Sequence, residues 1–364
     1  MENKALFGSW SLAGAAATVL LVELFEPIMQ AAVRAGQTAA WLSLLIAGLV
    51  AILLYWPVAA CMANARCSNL IKLAEAAAGK TAAVITSVLV SAFVVYHSGF
   101  ILRETSEMAV SAFYSHTPQT FPMVALGLCA FGCARGDLAG IVRLCRTFMP
   151  FLVGAMVVLL AGCVGWAKFV YLVPVLGPGV LPLLVNSALL SALHAPVALF
   201  LLVAAGDLTD RKRLGPAGSV ALGGVTLLLA FGAALFLAIY PLPMGRSVTF
   251  PLHLLARLVS GGRFFERLEG IWIMFWFFAT ACHLAVLLHI AALSLRDAIG
   301  TPVKVGLLPL AVMIATTALF PPDQGRVLAW HAAAMPYALG VGYVLPLVLA
   351  LTVMLRRRWT SRAG

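Results

Sequence analysis

Apolar runs of about twenty residues recur along the whole chain, separated by short connectors that hold most of the charge. About twenty apolar residues in a helix cross a hydrocarbon core about 30 Å thick. Hydrophobic residues make up 63% of the sequence and charged residues 10%, and the mean hydropathy is +1.03. No water-soluble core needs that much apolar surface. The expectation is an all-α, polytopic membrane protein forming a single transmembrane domain over residues 1–364. The first run starts almost at the N-terminus without a clear cleavage site, so it reads as a transmembrane helix, not a signal peptide.

The runs place helices at about 5–30, 39–62, 81–113, 120–134, 147–167, 183–206, 217–241, 268–293, 303–320 and 333–355. Lys and Arg concentrate in cytoplasmic connectors of membrane proteins. With the N-terminus inside, the sharpest basic runs, Arg211–Arg213 and Arg356–Arg358, both fall on the cytoplasmic side, and an even helix count leaves both termini there. The net charge of +11 is then a feature of inner loops, and no nucleic-acid partner is expected. Between the second and third runs, Ser68–Lys80 sets Leu70, Ile71, Leu73 and Ala74 beside Lys72 and Glu75, a pattern for a short amphipathic helix at the inner surface. Residues 248–269 are basic, amphipathic and outside, suited to an outer cap or an interfacial helix.

No P-loop, GxSxG or HExxH pattern is present, so no catalytic set emerges and no enzyme is expected. Cys129 and Cys133 lie four apart on one helix face, but no further ligand completes a site, and packing is the simpler reading. His283 and His289 are six apart, on different helix faces, and make a poor zinc pair. Neither cofactor nor metal is expected.

Two stretches carry a resemblance. From His97 to Phe151, a long apolar helix ends in Leu102, Arg103, Glu104 and Glu107. Thr117-Pro118, a short apolar helix, Gly136 and Arg143 follow in turn. From Phe250 to Trp276, a Phe-Pro start leads to the phenylalanine-rich FFERLEG. Their order and spacing resemble the B subunit of the GerA-type spore germinant receptors, the spore germination permease family. The resemblance implies the amino acid–polyamine–organocation superfamily and its LeuT-like fold, in which five helices are followed by an inverted five and helices one and six are broken. It also implies a small-molecule germinant, an amino acid first among the candidates, with A-type and lipoprotein C-type partner subunits in the spore inner membrane. No internal sequence repeat is visible, so the inverted fold rests on the resemblance.

Broken helices in such folds offer freed backbone N–H and C=O groups to a ligand near the midplane, where irregular backbone is tolerated only if it lines an interior cavity. On helix one, Gly14, Ala15 and Ala16 match the position of the family's Gly-containing break. Close helix packing through small residues is the competing reading. On helix six, Pro196 removes a backbone hydrogen bond beside Ser191 and His194. An ionisable His194 near the midplane points to function, unless it is neutral and bonded to the freed carbonyl. Tyr96 and His97 on helix three, and Trp276, Thr280 and His283 on helix eight, should wall the cavity. Glu23 and Glu26 lie in the outer half of helix one, where pairing with Arg34 or Arg103 at the outer surface is favoured over contact with a cation.

Two functions fit: a germinant-sensing subunit, or an H⁺- or Na⁺-coupled amino-acid permease. Both use the same broken helices. The topology is testable. Cysteines introduced at Lys212 and Arg357, in a background cleared of native cysteines, should resist impermeant thiol reagents in intact cells. Labelling of either from outside would overturn the helix count or the orientation.

Overall fold

The computed structural model describes residues 7–23, 28–65, 67–112, 116–259 and 268–362. Among the described residues, seven stretches are helical, long and apolar enough to cross a membrane: Met29–Ala65, Leu70–Ser111, Leu138–Trp166, Val180–Asp207, Arg211–Ile239, Ile273–Ile299 and Gln324–Arg357. Three shorter apolar helices, Ser9–Val22, Thr120–Ala134 and Val303–Leu319, join them. The outer surface of the bundle carries Leu53, Phe121, Leu128, Phe151, Leu181, Leu227 and Phe320, each more than half exposed. Exposed apolar surface on that scale marks contact with lipid, and the chain is an integral membrane protein.

In chain order the helices are α1 (Ser9–Val22), α2 (Ile28–Gly36), α3 (Ala40–Ala65), α4 (Leu70–Ala112), α5 (Thr120–Ala134), α6 (Leu138–Cys163), α7 (Val180–Leu190), α8 (Ala195–Ala204), α9 (Leu214–Ile239), the short α10 (Leu242–Gly245) and α11 (Pro251–Ala256), then α12 (Leu268–Ile299), α13 (Val303–Leu319), α14 (Gln324–Leu339) and α15 (Leu345–Arg362). Two spans are interrupted. The first is split between α1 and α2. The sixth is split between α7 and α8 by a 3₁₀ turn, Ser191–His194. These are the first spans of each half of the chain, the position that an inverted repeat assigns to its broken helices.

Several boundaries differ from the sequence reading. The first break does not fall at Gly14–Thr18. Small residues there leave α1 regularly hydrogen-bonded, and the helix ends at Val22, with Glu23 in a turn. The fifth span starts at Leu138, not 147, because Asp137 caps its N-terminus by accepting from the Gly140 N–H. The tenth span reaches from Gln324 to Arg362 through a π-helical turn, Gly340–Val344. The amphipathic segment before the third span is helical, as expected. Its 43 residues would run to about 65 Å if α4 were straight, more than twice a hydrocarbon core, but Ala78 and Gly79 leave helical geometry. Gly79 has φ +82°, a left-handed conformation that glycine adopts without a Cβ penalty. The turn before the kink buries Leu70, Ile71, Leu73 and Ala74 and exposes Lys72 and Glu75, which hold each other at 2.7 Å.

The longest helices, α4 and α12, pack side by side through the bundle, with Ser91 and Ser294 bonded at 3.1 Å between them. Around them α1 packs on α6 and α9, and α3 on α9. The π turn sits against the break of the sixth span: a Cβ on Gly342 would collide with the Ala195 Cβ. π turns recur at functional sites, and here one lets two backbones approach. Gly342→Val should therefore lower stability by about 1–3 kcal/mol, the usual effect of overpacking. Gly224→Ala, with open space at its Cβ, should leave the thermal unfolding midpoint in detergent nearly unchanged.

Candidate functional site

The two interruptions face a shared interior. At its centre Glu23, in the turn that ends α1, is fully buried. Its carboxyl Oε1 lies 3.6 Å from the His97 Nε2 on α4. The His283 ring on α12 is 5.8 Å from the His97 ring, and its Nδ1 lies 2.8 Å from the Val19 carbonyl. The His331 ring on α14 is 6.4 Å from that of His97 and stacks on Phe100 at 3.8 Å. Tyr343, in the π turn, is buried, and its hydroxyl has no hydrogen-bond partner. The same is true of both Glu23 oxygens, the Nε2 atoms of His97 and His283, and both ring nitrogens of His331. Buried polar atoms are nearly always hydrogen-bonded in folded proteins, so this concentration at one point is unusual.

Beside this cluster lies a small cavity lined by Phe93, Tyr96, His97, Ala192, Leu193 and His331 with neighbouring α14 residues. It offers about 20 Å³ to the centre of a water molecule. A water needs roughly 10–15 Å³ by that measure, so the space admits one water and no nutrient. Among the described residues, contacts bridge the bundle at both of its ends. At one end Phe7 and Leu208 pair, with the Phe7 N–H donating to the Asp207 carbonyl and the Thr209 N–H to that of Phe7. Asn69 donates there to Asp297. At the other end the Asn186 amide donates to the Ala35 carbonyl at 2.9 Å, and the Gln324 amide donates to both oxygens of Glu104 at 2.8 and 2.9 Å.

Of the residues singled out from the sequence, Tyr96 and His97 line this cavity. Trp276 sits beside the first break, its indole N–H donating to the Val22 carbonyl at 3.5 Å. Thr280 donates back to the Trp276 carbonyl, and Ser191 to that of Ala188, both within their own helical segments. Gly14 lies elsewhere: its Cα faces Arg146, and it lines a separate groove of about 510 Å³ with Trp10, Met149 and Phe231. Ala15 and Ala16 are buried in α1 packing. His194 bonds Thr226 of α9 at 2.9 Å, which ties the break of the sixth span to the seventh.

Glu23 departs from its expected surface pairing. Arg103 is held by Glu107 at 3.8 Å, and Glu23 is buried against His97. Glu26 lies outside the described residues. His331 and Tyr343 had no signal in the linear pattern except that each is polar within an apolar run. That same signal was present at Glu23, since intramembrane ionisable groups mark function.

A helical bundle whose first and sixth spans are both interrupted defines a transporter-type membrane fold. No curated protein matches the chain in sequence. Its fold is shared with MHP1, a nucleobase-cation-symport-1 family transporter, in a closed conformation with bromovinylhydantoin bound. That likeness has a TM-score of 0.73 at 14% identity, over 98% of this chain and 81% of that one. A Na⁺-coupled sialic acid symporter in a substrate-bound outward-open state gives a TM-score of 0.72 at 13% identity, over 97% of this chain and 80% of that one. The architecture is therefore LeuT-like. Residues 24–325 match the family of spore germination proteins, the spore permeases, and the chain belongs to that family.

The His194 link gives a direct test. Thr226→Val keeps the shape but strands a buried ring nitrogen, which should cost about 1–3 kcal/mol of stability. Thr226→Ser should restore most of it. Thermal unfolding of the purified variants reads both.

Proposed function

We propose that this chain is the B-type, nutrient-binding subunit of a spore germinant receptor. Its ligand is a small germinant of the amino-acid class, held at the cavity between the broken spans. Its setting is the spore inner membrane, with both termini cytoplasmic, and it passes its change of shape to A-type and lipoprotein C-type subunits. The observation that carries this reading is an aromatic and polar cavity at the interruption of the sixth span, beside His97 and its neighbour Glu23 at the end of α1, in a member of the germination family. The 3₁₀ turn at Ser191–His194 leaves backbone groups outside the regular α-helical ladder, suited to a carboxylate or an amine. Tyr96, Phe93 and Leu193 surround the remaining apolar part.

The small size of the cavity supplies the signalling logic. A ligand is admitted only if a bridged end opens and the cavity widens beyond its one-water volume, and a ligand that binds one state better shifts the population toward it. Partner subunits then read which end is open. The second reading is an amino-acid permease. It is favoured by one observation: the fold neighbours are cation-coupled symporters, and a buried carboxylate beside imidazoles suits an H⁺ or Na⁺ site.

Ala192→Phe fills the cavity, whereas Gly14→Ala changes a residue in the separate groove. In a thermal-shift screen with amino acids, the responding nutrient should lose at least about tenfold in affinity with Ala192→Phe, the equivalent of 1.4 kcal/mol. It should bind Gly14→Ala unchanged. The reverse pattern would place the ligand elsewhere. Germination that disappears when the A- or C-type gene is deleted supports the receptor, and nutrient uptake by the chain alone in proteoliposomes supports the permease.

A further inference from the structure

We propose that Glu23, His97 and His283 form a binding site for a divalent transition-metal ion of the zinc class. The three side chains come from α4, α12 and the turn ending α1, and each offers one ligand atom within 4.8 Å of the others. All three are buried. Two imidazoles and one carboxylate, with a further position open, are a recurrent ligand set for zinc and for other first-row divalent ions.

The spacing leaves room for an ion between the side chains. The Glu23 Oε1 to His97 Nε2 distance of 3.6 Å is too long for a hydrogen bond. Ligand bonds of 2.0–2.2 Å to a tetrahedral centre put neighbouring ligand atoms about 3.3 Å apart. The three ligand atoms, within 4.8 Å of one another, would close by up to about 1.5 Å to reach bonding distance around one ion. The contact pattern agrees. The His283 Nδ1 is engaged by the Val19 carbonyl at 2.8 Å. In the tautomer that donates there, the lone pair is on Nε2, which has no partner. A backbone carbonyl that fixes the tautomer of a ligating histidine is a common outer-shell device.

Charge is the third argument. A buried, unpaired carboxylate is strongly unfavourable, and neither Glu23 oxygen accepts a hydrogen bond. A Glu23–His97 ion pair would neutralise it but leave the His283 Nε2 stranded. A divalent ion engages all three residues at once. With one carboxylate and two neutral imidazoles it keeps one positive charge, which an anionic fourth ligand such as a carboxylate would neutralise. The inference goes beyond nutrient sensing and stands without it, because the ion needs only side chains of this chain.

The test uses the full-length protein in detergent, stripped with a chelator and titrated with Zn²⁺ in the absence of any nutrient. One equivalent should bind, raise the unfolding temperature and show an X-ray absorption spectrum of two imidazoles with oxygen ligands. Glu23→Gln and His283→Gln should each weaken binding by at least about tenfold, while His289→Gln, whose ring bonds the Ala134 carbonyl outside the cluster, should not. Absence of stoichiometric binding, or equal binding by Glu23→Gln and His283→Gln, overturns the site. So does sulfur ligation, which would move the ion to the neighbouring Cys145 and Cys282. If the variants do not fold, the wild-type spectrum decides alone. A chain that binds nutrient but no zinc fails here and still passes the cavity test.

Discussion

Within a bilayer, backbone N–H and C=O groups have no water to turn to, and each unpaired group costs several kcal/mol. The interruptions seen among the described residues obey that constraint. The 3₁₀ turn at Ser191–His194 keeps its own tighter hydrogen bonds and lies wholly inside the bundle. The π turn at Gly340–Val344 packs against the start of α8. The Val19 and Val22 carbonyls near the end of α1 receive bonds from His283 and Trp276 of α12. The 3₁₀ turn of the sixth span is drawn into the interior, where a ligand or ion can use it, while the π turn buries Gly342 and Tyr343 and leaves Val344 exposed. The site is thus a by-product of where helices are allowed to fail.

Much of this was legible in the sequence because it depends on local pattern. The apolar runs gave the ten helical segments, and Pro196 marked the break in the sixth span. The amphipathic segment before the third span followed from Leu70, Ile71, Leu73 and Ala74. What was not legible depended on partners far apart in the chain. Gly14 and its small neighbours resemble a break, but smallness equally permits the close approach of Arg146 that the structure displays. The real interruption begins at Glu23, a residue whose polarity first suggested an outer surface. Only the packing of α4 and α12 around it shows that its neighbours are two imidazoles. His283 and His289 share a helix but lie six apart, on different faces, and form no metal pair there. Its companions are on other helices.

The interior combines two economies that usually conflict. Aromatic and aliphatic side chains close the cavity to about one water, which strengthens any electrostatic contact made there. Yet the same place gathers more unpartnered polar atoms than a stable core tolerates. Each unsatisfied group of this kind raises the energy of the arrangement that holds it. The bridges at the two ends, built from single backbone pairings and amide bonds, are modest opponents to its rearrangement.

The π turn in the last span carries a mechanical implication. It holds one more residue per turn than an α-helix, and each residue of an α-helix advances the side chains by about 100°. If that turn relaxes to α geometry when the cavity is occupied, everything beyond Val344 rotates about its own axis by roughly that angle. Arg357, whose guanidinium now bonds the Asn64 and Ala65 carbonyls at the end of α3, would be swung off those carbonyls. Gly342 would then be the bearing of a shaft that converts an event at the midplane into rotation of a basic tail at the membrane surface.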